Sequence, residues 1–170
     1  MKIYTTDALA ELIISTATKA YTVKRNYLCF GRRKPDADGE IITVLQKSST
    51  PITAADVAAN FWYIPKKKVN QVLSSTDSIV NVQQEYYYYA PNLPVGRSDK
   101  ARIRENLKTV LAIQDSLTEI ELLNTVLQEC PNLLSEVAFL SWRGLRNSLL
   151  YLFGDVIALD GNMIKANRKV

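Results

Sequence analysis

Three times along the chain, two short apolar stretches flank a few polar residues, and each pair follows segments in which apolar residues recur with helical spacing. The pairs occupy residues 21–30, 79–89 and 156–166. Short apolar stretches joined by a polar turn are typical of a two-stranded antiparallel ribbon. In the third pair, Asp160-Gly161 favours a tight turn, because glycine readily adopts a positive φ. The pattern predicts an α+β protein in which groups of helices each end in a β-ribbon.

The segment before the second ribbon predicts three helices. Apolar residues from Ile41 to Leu45 indicate the first. The sequence Thr53-x-x-Asp56 has the form of an N-terminal cap and opens a short second helix. A third helix begins after Pro65, because proline suits the first turn of a helix. Its apolar residues, which we expect to face the core, are Val69, Val72 and Leu73.

The last segment predicts four helical stretches before its ribbon. An amphipathic helix covers residues 103–111, and Ser116-x-x-Glu119 predicts the cap of a second helix that ends at Pro131. Two shorter stretches lie around residues 137–138 and 145–150. At the start of the chain, Thr6 favours the beginning of one further helix, with apolar positions at Leu9, Leu12, Ile13 and Ala17.

Two stretches rich in proline, glycine and charged residues divide the chain, at 31–39 and 90–99. We therefore expect a helix-hairpin half-unit over residues 1–38 and two larger units over residues 39–98 and 99–170. Residues 43–46 recur as 125–128, both reading Thr-Val-Leu-Gln. A second match relates residues 51–62 to residues 131–142 with identical internal spacing, which predicts a repeated unit of three helices and a hairpin, although short chance matches between amphipathic segments remain an alternative.

The residues from Pro51 to Leu73 carry a resemblance. Ile52-Thr53-Ala54-Ala55-Asp56-Val57-Ala58 resembles the second helix of many helix-turn-helix proteins, and three helices followed by a hairpin resemble a winged helix-turn-helix domain. The resemblance covers residues 39–90 and about 116–168, so it implies tandem winged-helix units. In DNA-binding members the third helix enters the major groove and the wing touches the backbone or minor groove.

For the middle unit, the resemblance implies that Lys66, Lys67 and Lys68 contact phosphates while Asn70 and Gln71 reach base edges. The wing tip would be residues 83–85, and its Glu85 is a poor phosphate contact. In the last unit the third helix offers Arg143, Arg146 and Asn147, and the wing tip at residues 160–162 is acidic. The alternative for the three lysines is a solvated helix start, although positive charge there opposes the helix dipole.

Charge is concentrated in the first part of the chain. Residues 1–100 hold 13 Lys and Arg against 9 Asp and Glu, whereas residues 101–170 hold 8 against 8. The N-terminal hairpin and the stretch behind it add five further candidates for phosphate contact: Lys24, Arg25, Arg32, Arg33 and Lys34. This distribution permits double-stranded DNA as a partner and places the contacts before residue 100.

The chain lacks the residues that several classes of function require. The chain has no histidine and two cysteines, so histidine-based acid–base catalysis and the common zinc sites are excluded. None of its six glycines forms one of the common phosphate-binding loops. We expect no catalytic residues, no cofactor and no metal, and the two distant cysteines fit a reducing compartment, most simply the cytoplasm. No apolar run suits a membrane span.

The second hypothesis is a protein–protein adapter in a multi-subunit assembly. Winged helices serve in this role, and the neutral last unit fits it better than it fits DNA. Its candidate anchors are the two tryptophans, Trp62 and Trp142, with Arg143 and Arg146 beside the second. The alternative role of both tryptophans is to pack between helices in the core. The half-unit over residues 1–38 is either a truncated domain or is completed by a second copy of the chain.

Overall fold

The computed structural model describes residues 21–24, 27–30, 36–61 and 64–167. Within these residues the chain is an α+β protein of seven α-helices and small antiparallel sheets. The first predicted ribbon is confirmed: β1 (Tyr21–Lys24) pairs with β2 (Tyr27–Phe30), and Tyr21 lies opposite Phe30. The helix expected after Thr6 lies outside the described residues.

The first body contains the three helices predicted before the second ribbon. In chain order it consists of α1 (Ala37–Lys47), β3 (Ile52–Thr53), α2 (Ala54–Ala59), α3 (Lys66–Ser75), β4 (Ile79–Gln83) and β5 (Tyr86–Tyr89). The short strand β3, between the first two helices, pairs with β5, so the sheet has the order β3-β5-β4. The core of this body includes buried residues from all three helices: Ile41, Leu45, Val57, Val69, Val72 and Leu73.

The second body repeats this order in an expanded form. A 3₁₀ turn (Ala90–Asn92) leads to α4 (Arg97–Ile113), α5 (Glu119–Glu129), α6 (Leu133–Glu136), α7 (Trp142–Leu152), β6 (Ile157–Asp160) and β7 (Met163–Ala166). Leu117, between α4 and α5, forms a single bridge to Ile164 of β7. It therefore takes the place that β3 takes in the first body. At the turn between β6 and β7, Gly161 has a φ of 60°, as its position after Asp160 predicts.

The hairpin β4–β5 belongs to both cores. One of its faces places Ile79, Tyr87 and Tyr89 against the first core. The other face places Val80, Val82 and Tyr88 in the core of the second body, together with residues of α4, α5 and α7. Of the four tyrosines in β5, Tyr88 is buried, and Tyr87 and Tyr89 are half-buried. Tyr86 shares a face with Tyr88 but is 46% exposed, so the second body covers this face at Tyr88 and leaves its end near the turn in solvent.

Two helix starts in the second body differ from prediction. The cap of α5 is Thr118 and not Ser116: Thr118 Oγ1 accepts a hydrogen bond from the Glu121 amide, and the Glu121 carboxylate accepts one from the Thr118 amide. The bridge explains the shift, since the extended conformation of Leu117 delays the helix. The helix expected around residues 137–138 lies slightly earlier in the chain, as α6, and Val137 follows its last residue.

The register of the predicted repeat is also wrong. Residues 43–46 lie in α1, before β3, whereas residues 125–128 lie in α5, after the bridge. The topology instead matches α1 with α4 and the cap Thr53 with the cap Thr118. Sequence likeness between amphipathic helices arises from their shared periodicity, so it aligned helices that occupy different places.

The described helices are too short or too polar for any of them to cross a membrane. Nor do the described residues bring together three or more side chains of the metal-binding types. An open cavity of about 410 Å³ lies where the end of α1 approaches Phe139. At its edge, the Asn92 amide donates hydrogen bonds to the carbonyls of Gln46 and Ser48 and so ties the 3₁₀ turn to the end of α1.

Helix α7 packs directly along strand β4. The Ser141 hydroxyl, at the cap of α7, donates a hydrogen bond to the Val82 carbonyl. Gly144 faces the same valine, and a Cβ atom at position 144 would come within 2.8 Å of Val82 Cγ1 and 3.2 Å of its Cα. The two bodies therefore approach each other more closely at this point than a larger residue would allow.

We expect Gly144→Ala to lower the free energy of unfolding by about 1–3 kcal/mol, because overpacking outweighs the gain of about 1 kcal/mol in helix propensity. Urea unfolding followed by circular dichroism measures the change. In a Val82→Ala background, which removes the nearest methyl group, the same substitution should cost less. A Gly144→Ala protein that is more stable than wild type would contradict this packing.

Candidate nucleic-acid interface

Helix α3 has one apolar half and one polar half. Val69, Val72 and Leu73 are buried and fix the rotation of the helix against the first core. The outward half consists of exposed polar residues that recur at intervals of three and four: Lys66, Lys67, Asn70, Gln71, Ser74 and Ser75. The helix contains no carboxylate, so nothing on α3 itself reduces its positive charge.

The three lysines of α3 differ in their surroundings. Lys68 is half-buried, and its Nζ lies 2.6 Å from Asp38 Oδ1 on α1, so its charge is paired within the fold. Lys66 and Lys67 are exposed and form no ion pair with any described residue. No side chain caps the helix, and the charges of its first turn oppose the helix dipole, which costs about 0.3–1 kcal/mol for each unpaired lysine.

Asn70 and Gln71 lie one turn beyond the two unpaired lysines. Their side-chain amides are exposed and form no hydrogen bond with another described residue. An unpaired amide offers one donor group and one acceptor at the surface. The structure thus brings four of the five predicted α3 residues together on one accessible face and assigns the fifth, Lys68, to an ion pair.

The tip of the hairpin β4–β5, defined here as Gln84 and Glu85, is held by hydrogen bonds to its backbone. The Asn81 amide donates to the Gln84 carbonyl at 2.7 Å, and the Ala54 amide at the start of α2 donates to the Glu85 carbonyl at 3.2 Å. Gln84 has a φ of 47°, a region that favours glycine. Gln83, predicted in this tip, is the last residue of β4.

Of the N-terminal cations, only the backbone of Lys24 is described, at the end of β1. Arg25, Arg32, Arg33 and Lys34 lie outside the described residues, as does Trp62. Phosphate contact by these basic residues therefore stays a prediction.

Helix α7 carries the remaining candidates. Arg146 forms an ion pair with Glu119, and the indole N–H of Trp142 donates to the same carboxylate at 2.7 Å. Arg146 and Trp142 together hold the pKa of Glu119 below its usual value. Trp142 is 41% exposed, so packing explains only part of its surface. Arg143 is exposed and has no ion-pair partner among the described residues.

The sequence alone did not indicate Glu119 or Asp38 as partners of these cations. Asp38 lies in the charged stretch at residues 31–39, and Glu119 was assigned to a helix cap at Ser116 that forms at Thr118 instead. Neither protein-family models nor curated proteins yielded a match to this chain.

We expect Gln84→Gly to raise the free energy of unfolding by about 0.5–1 kcal/mol, because glycine removes the cost of a positive φ and this gain exceeds its greater loss of chain entropy. The matched control is Gln83→Gly, one residue earlier and without a positive φ, which should lower stability by about 0.5–1 kcal/mol. Thermal unfolding of both variants measures the difference. Two changes of the same sign would contradict the strain at Gln84.

Proposed function

We propose that residues 39–98 and 99–170 are two winged-helix units, and that the first binds double-stranded DNA without catalysing a reaction. The helix–strand–helix–helix–ribbon order supports this proposal, as does the pairing of β3 with the second strand of the ribbon. Residues 1–38 would be a partial unit of the same kind. In this arrangement α3 is the third helix, the one that enters the major groove in DNA-binding members.

The observation that carries the proposal is the outward half of α3. It combines two unpaired lysines, two unpaired amides and two serines, with no carboxylate and no large apolar side chain. A surface of this composition is poorly suited to a dry protein interface, which favours aromatic side chains and arginine and is depleted in lysine and serine. It suits a wet, polyanionic surface, where lysines neutralise phosphates and amides meet base edges.

The role of each residue follows from its place on the helix. Lys66 and Lys67 lie in the first turn, where each could contact a phosphate of the groove walls. Asn70 and Gln71 follow one turn later, and an amide of this type forms a bidentate pair with adenine. The tip at Gln84 and Glu85 lies at the end of the ribbon that would reach the neighbouring backbone, where Glu85 would weaken a phosphate contact.

The test is a salt titration of binding to a labelled 30-bp duplex, measured by fluorescence anisotropy. We expect log K to fall linearly with log salt, and the double variant Lys66→Ala, Lys67→Ala to reduce that slope by about 1.8, since each phosphate contact adds about 0.9. Both substitutions remove charges that oppose the helix dipole, so they should not destabilise α3. The control is Lys108→Ala, an exposed lysine of α4 paired with Glu105, which should leave the slope unchanged.

A wild-type protein that fails to bind the duplex at low salt would overturn the proposal. That result would favour the second candidate, a protein–protein adapter. One observation supports it: the outward half of α7 carries Trp142 and Tyr151, each about 40% exposed, and such aromatic side chains are enriched in protein interfaces. Under this alternative, Trp142→Ala would weaken a complex that the α3 double variant leaves intact.

A further inference from the structure

We infer that, of the two corresponding helices α3 and α7, only α3 binds the duplex, so that the described residues of the last unit do not present a second DNA-binding helix. The inference rests on the proposed function and concerns how much DNA the protein contacts. Two units with the same order of elements would ordinarily suggest that each has a helix that binds in the major groove of DNA. The contacts of α7 argue against this.

Helices α3 and α7 can be compared position by position. Each is the last helix before a ribbon, and their caps are Pro65 and Ser141. Both helices bury the same arc of positions, so their outward halves correspond as well. Where α3 presents lysines, amides and serines, the outward half of α7 presents a different set: Trp142, Arg143, Arg146, Asn147, Leu150 and Tyr151.

Two of the three polar side chains on the outward half of α7 already have partners within the unit. Arg146, which corresponds to Asn70, is bound to the Glu119 carboxylate. Asn147, which corresponds to Gln71, accepts hydrogen bonds from Arg146 through its Oδ1 at 3.2 Å. Reading a base with either residue would first require breaking contacts that α3 does not make. Only Arg143, the counterpart of Lys67, is a cation without a partner among the described residues of this half-helix.

The surroundings of α7 also disfavour a duplex. Strand β4 lies along one side of α7 through the contacts of Ser141 and Gly144 with Val82. The position in α3 that corresponds to Gly144 is Lys68, a long side chain that the close approach of a strand would not accommodate. At the turn of the last ribbon, the exposed Asp160 carboxylate adds a negative charge and pairs with Lys165 Nζ at 2.6 Å. No unpaired cation at that tip, among the described residues, is available for a phosphate.

The experiment compares two substitutions at corresponding positions, Lys67→Ala and Arg143→Ala, in the full chain. Both side chains are exposed, so neither change should affect folding, which circular dichroism checks. With the 30-bp duplex, we expect Lys67→Ala to weaken binding roughly three- to tenfold and to reduce the salt slope by about 0.9. Arg143→Ala should keep the affinity within about twofold of wild type and leave the slope unchanged.

Duplex length gives an independent readout. A chain with two reading helices would gain avidity, of order 10²–10⁴ in affinity, once the DNA is long enough to engage both. We expect no such gain between a duplex of about 14 bp and one of about 30 bp. Equal losses for the two variants, or a gain of that size with length, would overturn the inference while leaving the proposed function intact. No binding by the wild-type protein to either duplex would instead remove the proposed function, and with it this inference.

Discussion

Burial of both faces of the hairpin β4–β5 is the interaction on which the rest of the structure depends. A two-stranded ribbon is marginally stable in water by itself. Here one face packs on the first core through Ile79, and the other packs on the second through Val80 and Val82. Tyr88 is 2% exposed and its ring meets Phe139 with centroids 5.9 Å apart. Burial raises the pKa of the Tyr88 hydroxyl, as expected for a group withdrawn from water.

This shared hairpin determines which surfaces stay available. The second body packs on one face of the ribbon, and the core that buries the apolar half of α3 packs on the other. Because β4 packs against α7 at Gly144, this side of α7 is not accessible to a partner. The two bodies have a similar order of elements but differ in the last helix before the ribbon: the outward half of α3 carries lysines, amides and serines, whereas that of α7 carries aromatic residues and an arginine paired with Glu119.

Short-range patterns in the sequence predicted most of the local structure. The ribbons followed from apolar stretches separated by polar turns, and the rotation of α3 followed from the spacing of Val69, Val72 and Leu73. The outward positions of Lys66 and Asn70 are a direct consequence of that rotation. These features depend on neighbours within about one helical turn, which the sequence displays directly.

Contacts between distant segments account for what the sequence missed. The pairing of Lys68 with Asp38 and of Arg146 with Glu119 depends on which helices pack together, and periodicity does not encode this. The cap at Thr118 was displaced by a bridge to a strand nearly 50 residues later. The burial of Val80, Val82 and Tyr88 depends on packing against the second body, which the sequence of the ribbon does not encode.

Native-state hydrogen exchange tests the shared hairpin most directly. If β4–β5 joins the two cores, its amides should exchange only with the global unfolding of the protein, at the same free energy as the amides of α3 and α7. A hairpin that opens at lower free energy while both helices stay protected would show that the two bodies hold together without it, and would contradict this account.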